Sequence, residues 1–439
     1  MSDSLSTAES PTPSLAPESA ADFSERGPAL LRPLRIRDFR LLFAGETISV
    51  LGDQFHFVAL AWLALQLTGS GLALGTVLMT AAIPRAIFVL VGGAFSDRFS
   101  PRTLVLVSNL IRGVVVAVIA ALVLTDRAEL WHLYVLAAIF GVVDAFFYPA
   151  LNTFVPMLVP ERLFAPANAV IQGSAQVMGL VGPAVAGAMV ALVDTGPAFV
   201  IDAASFCVAA VAVTLVRGGR RAPRSSANGE APRPSILGSI VDGMRAAWAD
   251  PAVRGTIVLI FAFNLAFVGP VSVGLAWLAE ERFAGGSAAF GILFSAWGGG
   301  SLVGALIGGS IERLPRFGSI LLTAACLLAA GLALIGLAPT LPVALAIILP
   351  MGLLAGFVNV QYFAWIQRRV DEELRGRVMS LVMFASIGLA PVSLAVAGAL
   401  VDIGAATLMY LVAGGIVFGA ALLGFAWGVP RLMDHEAQP

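Results

Sequence analysis

Twelve stretches of this chain stay apolar over the length needed to cross a lipid bilayer as a helix, and no soluble fold accommodates so many. A hydrocarbon core about 30 Å thick calls for roughly 20 apolar residues at about 1.5 Å of rise each. Inside it every backbone N–H and C=O needs an internal partner, which a helix supplies to itself. The runs fall at about residues 41–66, 72–95, 103–125, 131–154, 168–192 and 197–216, then at about 255–278, 286–309, 319–338, 341–365, 378–401 and 405–428. The expected fold class is therefore an all-α membrane protein, with twelve transmembrane helices in two six-helix bundles. Composition agrees: 59% of the 439 residues are hydrophobic, 12% are charged, and mean hydropathy is +0.92. A soluble core cannot hide that much apolar surface.

The flanks divide the chain further. Residues 1–36 are rich in Ser, Pro, Ala and acids, with no basic stretch ahead of an apolar core, and read as a disordered tail and not a signal peptide. The N-terminal bundle is expected over 37–216 and the C-terminal bundle over 255–428. Between them, 217–254 reads as a basic linker followed by a helix on the membrane surface, and 429–439 as a second tail.

All 26 basic residues are arginine. Without lysine the chain holds neither a Walker phosphate loop nor a Schiff-base amine. Net charge is -1, which gives nucleic acid no electrostatic footprint. Cys207 and Cys326 lie in apolar runs and read as buried small hydrophobes, and His56, His132 and His435 share no ligand spacing. No metal or cofactor is expected, and no nucleophile–base pair suggests an enzyme.

Arginine placement sets the orientation. With the N-terminus inside, the outer loops hold only Arg127 and Arg282, while clusters such as Arg32 to Arg40, Arg217 to Arg254 and Arg368 to Arg377 fall inside. This is the positive-inside pattern, with both termini cytoplasmic and the chain in the cell membrane. Trp62, Trp131 and Trp277 near outer ends and Trp365 and Trp427 near inner ends suit interfacial belts.

The halves echo one another. In "GGAFSDRFSPRT", between spans 2 and 3, Gly93, Asp97 and Arg98 match Gly308, Glu312 and Arg313 after span 8. "VPERLFAPANAV" before span 5 aligns with "VDEELRGRVMSL" before span 11. Pro183 stands as far ahead of Asp194 as Pro391 does of Asp402. Three matches in register argue for an internal duplication.

These motifs resemble the major facilitator superfamily. Its signature between spans 2 and 3 is similar to Gly93, Asp97, Arg98 and Arg102 here, with Phe95, Ser100 and Pro101 departing from it. The resemblance implies a cytoplasmic latch, whose acid and arginines bond neighbouring helix ends when the carrier faces outward. "FFYPALNTFVPMLVPERLFAPANAV", "GLVGPAVAG" and "DAASF" resemble the branch of macrolide-efflux and enterobactin exporters, over most of residues 37 to 428. Gly179, Gly182, Pro183 and Gly187 are similar to the span-5 motif of antiporters, with Met178 outside its glycine spacing. Close helix packing is the alternative reading, as for Gly300, Gly304 and Gly308 in span 8.

Ionisable residues within a span cost about 2.5–3.5 kcal/mol each at mid-depth, so each needs a reason. Glu46, Asp53, His56, Arg85, Arg112, Asp144 and Asp202 all belong to the first half; the second has no in-span charge before Asp402 at an outer end. Glu46, Ser49, Asp53 and His56 form one stripe of a helix reaching about 15 Å. Asp53 is the leading proton carrier and Asp144, with Tyr148 a turn on, the second. Arg112 and Arg85 are candidate counter-ions, and a fixed ion-pair network is the alternative for all four. His56 and Glu46 are further proton-coupling candidates, though His56 reads as a hydrogen-bonded neighbour rather than a proton relay and Glu46 as near enough to the inner surface to be solvated; Asp202 reads as a helix-start or structural residue near the outer surface.

For substrate contacts the candidates are the polar residues Gln172, Gln176, Asn264, Asn359 and Gln361, whose alternative role is interhelical hydrogen bonding. Charge on one wall and apolar, aromatic or amide groups opposite suit a bulky amphipathic compound. The expected function is a secondary exporter running on proton antiport by alternating access, active as a monomer. Siderophore export, proton-symport import and a non-transporting sensor are the alternatives.

Overall fold

The computed structural model describes residues 29–96, 99–218, 245, 248–311, 314–370, 378, 381–382 and 384–434. Twelve helices are long and apolar enough to span a membrane. In chain order they are α1 (Arg37–Thr68), α2 (Gly71–Ser96), α3 (Pro101–Leu124), α4 (Leu130–Phe154), α5 (Phe164–Val193) and α6 (Thr195–Leu215). The second six are α7 (Pro251–Arg282), α8 (Gly286–Gly309), α9 (Phe317–Leu337), α10 (Leu341–Arg369), α11 (Phe384–Asp402) and α12 (Ala406–Ala426). A 3-10 helix at Ala29–Arg35 precedes α1, inside the segment read as a tail, and the short helix α13 (Val429–Asp434) follows α12.

Packing repeats between the halves. In the first, α1 lies against α5 and α6, α4 against α2 and α3, and α3 against α6. In the second, α7 lies against α11 and α12, α10 against α8 and α9, and α9 against α12. A shift of six helices maps one set onto the other, as an internal duplication requires. Two seams, α2–α11 and α5–α8, join the halves and exchange under the same shift.

Small residues make those seams, because two helix backbones approach closely only where no side chain intervenes. A Cβ on Gly187 would meet the carbonyl oxygen of Ser287, and one on Gly291 that of Pro183. A Cβ on Gly398 would likewise come within 2.5 Å of the Gly71 carbonyl oxygen. All lie between the helix midpoints and the end remote from the termini, here the distal end. Phe57 of α1 adds to this closure, 4.9 Å from Phe294 and 5.8 Å from Phe290 by ring centroids.

Asp402 completes the distal seam. Its carboxylate accepts from Ser70 Oγ (2.6 Å), Gly71 N (2.5 Å) and Leu72 N (3.2 Å), capping α2 from the other half of the protein. Its counterpart Asp194, at φ 119°, instead caps α6 in its own half through Thr195 N (2.6 Å). A lost N-cap costs about 0.5–2 kcal/mol. Asp402→Ala should therefore open the distal end about 2- to 30-fold more often. The check is alkylation of a cysteine placed at buried Leu394, by a membrane-impermeant maleimide.

At the opposite, terminal end, Arg369 Nε donates to Asp250 Oδ2 at 2.6 Å and ties α10 to the start of α7. Burial pushes the Asp250 carboxyl up, yet bonds from Arg369, Ala252 N and Val253 N and the guanidinium charge together hold it below its usual value. A carboxyl depressed in the folded state stabilises above its unfolded pKa and loses that contribution as pH falls. The stability difference between wild type and Asp250→Asn should be full above about pH 4 and vanish below it. Melting temperature against pH, in detergent, measures it.

Proline shapes α7. Pro270 supplies no N–H, and the helix widens into π turns at Pro270–Gly274 and Leu278–Arg282. The Pro270 carbonyl is taken up by Tyr410 Oη at 2.8 Å. Arg282, expected in an outer loop, donates to Gly336 O at 2.6 Å and Thr407 Oγ1 at 2.9 Å, closing the last turn of α9.

The most exposed large side chains are apolar, Val114, Val118, Leu192, Leu306 and Leu327 among them, which suits contact with lipid. Cys207 is exposed and Cys326 half-buried, against the buried reading, because an apolar run in a membrane helix covers its lipid face as well as its core face. Trp131 and Trp427 stand exposed near helix ends, whereas Trp62 and Trp365 are buried in packing.

Candidate functional site

The stripe on α1 faces protein. Glu46, Ser49 and His56 are 7%, 2% and 9% exposed, while Asp53 is half-buried. Glu46 is thus packed inside and not solvated at a surface, because Gly45 beside it draws α1 onto Ala209 and Ala212 of α6. Gly52 repeats the device one level up: a Cβ there would meet the Ser205 hydroxyl and, at 2.9 Å, Asp202 Oδ1.

Arg112 of α3 is the hub of this half. It is 2% exposed, donates from Nη1 to Asp144 Oδ1 (3.4 Å) and from Nη2 to Asn109 Oδ1 (3.2 Å). Phe147 and Phe206 lie over its guanidinium, 3.9 and 4.8 Å from ring centroid to Cζ. Two ring faces give a desolvated cation the negative potential that water would otherwise supply. Asp53 lies within the field of Arg112, Asp202, Asp144 and Glu46. Arg85 of α2 does not reach that centre by any bond; its guanidinium sits over Tyr148 at 5.2 Å.

Asp202 does not start α6, one of the two roles expected of it. It is fully buried two turns into α6, and Asp194 does the capping assigned to it. Its Oδ2 stands 3.1 Å from His56 Nδ1, and the imidazole stacks on Phe140 at 4.5 Å with Phe199 at its edge. The sequence clue was Thr-Gly-Pro at 195–197: the residue ahead of such a run is the better N-cap.

The second half offers a cavity of about 300 Å³ between α7, α9, α10 and α11. Asn264 and Asn359 line it, with Thr256, Tyr362 and Ser386 as further polar groups and Phe263 and Phe363 as aromatic walls. No charged side chain is among its lining residues. Asn264 Nδ2 spends one bond on Ile260 O of its own helix, and Thr256 pairs with Tyr362 at 3.4 Å. Tyr362, Thr256 and Ser386 carried no signal in the sequence, since single hydroxyls in apolar runs are common.

Gln361 is corrected. It is 2% exposed and its Nε2 donates to Gly308 O (2.6 Å) and Ile311 O (2.7 Å), so it finishes the last turn of α8 and is no part of the cavity. Gln172 and Gln176 stand exposed on α5, on the terminal side of the Gly179–Gly298 contact.

The family model of the Major Facilitator Superfamily matches residues 42–392. The chain belongs to this superfamily. The multidrug efflux pump Tap of Mycolicibacterium fortuitum is 29% identical over 393 residues, covering 86% of this chain and 90% of that one. Macrolide efflux protein A of Streptococcus pyogenes is 22% identical over 347 residues, covering 78% and 84%. Among solved structures, a POT family transporter in complex with a thioalcohol-conjugated peptide superposes with a TM-score of 0.70 at 13% identity, over 91% of this chain and 96% of that one. A bacterial homologue of the human lysosomal transporter Spinster gives 0.63 at 16%, over 92% and 97%. These likenesses show the fold: a multi-pass membrane transporter of the major facilitator type.

Superfamily motifs can now be placed. Asp97, Arg98, Glu312 and Arg313 lie outside the described residues. Gly93 falls in α2, and Arg102 donates to Val213 O (3.2 Å) and Thr214 O (2.7 Å) at the end of α6, within its own half. Gly182 packs on Gln54 of α1 and Gly187 on α8. Pro183 supplies no N–H to Gly179, whose freed carbonyl oxygen sits 2.5 Å from the Cβ position of Gly298. Gly179 and Gly187 of the span-5 motif thus face α8 across the seam between the halves, while Gly182 packs within its own half. Gly300, Gly304 and Gly308 similarly seat α8 on α10.

Proposed function

We propose that this protein is an exporter of bulky amphipathic compounds, driven by proton antiport, from the cytoplasm across the cell membrane. The observation that carries the reading is the division of labour between halves. Among the described residues the fully buried charges, Glu46, Arg112 and Asp202, lie in the first half, and an uncharged cavity with amide, hydroxyl and aromatic walls lies in the second. A small sugar or an inorganic anion needs dense polar contacts or a cationic clamp; an amphipathic molecule needs apolar area and a few hydrogen bonds. The named efflux relatives support the export direction.

On this reading both termini are cytoplasmic, as the arginine distribution indicates, and the distal seam is the outer gate. The state seen, closed at its distal end, is then the one that admits substrate from inside. Proton entry from outside to the Asp53 and Asp144 carboxyls alternates with substrate release, Arg112 holding whichever carboxylate is charged. Each monomer contains one complete site, and no cofactor takes part.

Efflux of ethidium from energised cells lacking their own pumps tests this, with and without an uncoupler. Efflux should be abolished by the uncoupler, and Ala325→Trp, which fills the cavity, should raise the apparent KM with little change in maximal rate. Efflux that survives the uncoupler removes the proton from the mechanism, and an unchanged KM removes the cavity from the substrate path.

A further inference from the structure

His56 and Asp202 remain outside the mechanism just described, and their chemistry is unusual. Asp202 is 0% exposed, and neither carboxylate oxygen has a well-directed hydrogen-bond donor; nor has His56 Nδ1 an acceptor. Only their mutual approach, 3.1 Å, relieves either group. Arg112, the one buried arginine among the described residues of this half, is already bonded to Asp144 and Asn109. A buried carboxylate left alone is too costly to persist, so the pair needs a proton. Whether the proton sits on oxygen or nitrogen, the pair is neutral with one and negative without it.

We propose that His56 and Asp202 form a second proton-binding site of the carrier, separate from Asp53, that loads and unloads during transport. The inference rests on the proton-antiport reading. Its geometry is that of a shuttle. Nδ1 is sealed against Asp202, while the side chain keeps 11% exposure elsewhere on the ring. Phe140 and Phe199 hold the ring in plane with that axis.

The neighbours set the coupling. On α1 the site faces Asp53 one turn away and Glu46 beyond it; α3 contributes Arg112, α4 Asp144 and Tyr148, and α2 Arg85. α5, also packed on α1, has no titratable side chain along Phe164–Val193, and Cys207 of α6 is exposed. Asp202 and Asp53 act on each other. Discharge at one carboxylate therefore favours protonation of the other, and a proton leaving the pair is handed to Asp53. Phe57, next to His56 on α1, packs in the distal seam, so a shift of the imidazole also bears on the gate.

With three histidines in the chain, labelling the imidazole nitrogens with nitrogen-15 in the full-length protein yields three pairs of resonances, and His56→Gln identifies one pair. At one fixed neutral pH, the His56 Nδ1 resonance in wild type should be that of a nitrogen sharing a proton with a carboxylate, and Asp202→Asn should lose that signature. An identical Nδ1 resonance in the two proteins overturns the site. In proteoliposomes, Asp202→Asn should bind ethidium within about twofold of wild type yet lose about tenfold of the exchange driven by an imposed pH gradient. Full gradient-driven exchange in Asp202→Asn also overturns it. If wild type shows no gradient-driven exchange, the antiport reading fails, and the Nδ1 resonance alone then decides whether the proton site exists.

Discussion

Asp53→Asn should abolish energised efflux while the protein remains folded and inserted. Asn matches Asp in volume and removes only the proton-binding group, and no fixed hydrogen bond of Asp53 is lost in the exchange. Asp53 is half-buried on the stripe, within the fields of Arg112, Asp144, Asp202 and Glu46. A proton entering down ~100 mV contributes about 2.3 kcal/mol, enough to hold an uncharged substrate at about a fiftyfold ratio. In the variant that ratio should collapse to unity, although substrate still equilibrates, because coupling and not passage has been removed. Comparing steady-state dye retention in wild type and variant, each with and without uncoupler, reads the effect. Retained accumulation in Asp53→Asn would transfer the role to Asp144.

The twelve spans and their duplication were legible because a bilayer enforces length and polarity so strictly that composition alone locates a helix to within a turn or two. The charged half of the site was legible for the same reason: a buried acid or arginine in such a run has to have a partner. Sequence periodicity did not show which partner. Arg112 and Arg85 look equivalent as isolated in-span arginines, yet one is bracketed by Phe147 and Phe206 and bonded to Asp144, and the other lies over Tyr148. Asp202 and Asp402 were read by their distance along the helix, whereas their roles come from the helix across from them. The uncharged cavity was the least legible part. Asn264 and Asn359 point to it, but Gln361, two residues from Asn359, turns to the end of α8, and only helix rotation separates the two.

Arg112→Met is expected to be the most destabilising single change in the protein. Removing one member of a buried ion pair costs about 3–5 kcal/mol, because the remaining charge stays desolvated without compensation. Here the loss is compounded. The acidic side chains Glu46, Asp53, Asp144 and Asp202 lie well inside the spans of the first half, and among the described residues there Arg112 is the one buried arginine set among them. Met fills the slot between Phe147 and Phe206 and keeps the apolar contact, so the effect isolates the charge. Lysine should rescue only partly, since it cannot lie flat between two rings or bond Asp144 and Asn109 at once. Asp144→Asn should recover much of the stability lost in Arg112→Met, giving a coupling energy well beyond the about 0.3–0.5 kcal/mol within which independent sites add. Heating each variant in detergent and following the monodisperse fraction supplies the four values of the cycle. If the two substitutions add, Arg112 and Asp144 are not a pair, and the counter-ion role passes to Asp53; if they couple, the same arginine that holds the bundle together is the one whose charge the transported proton has to displace.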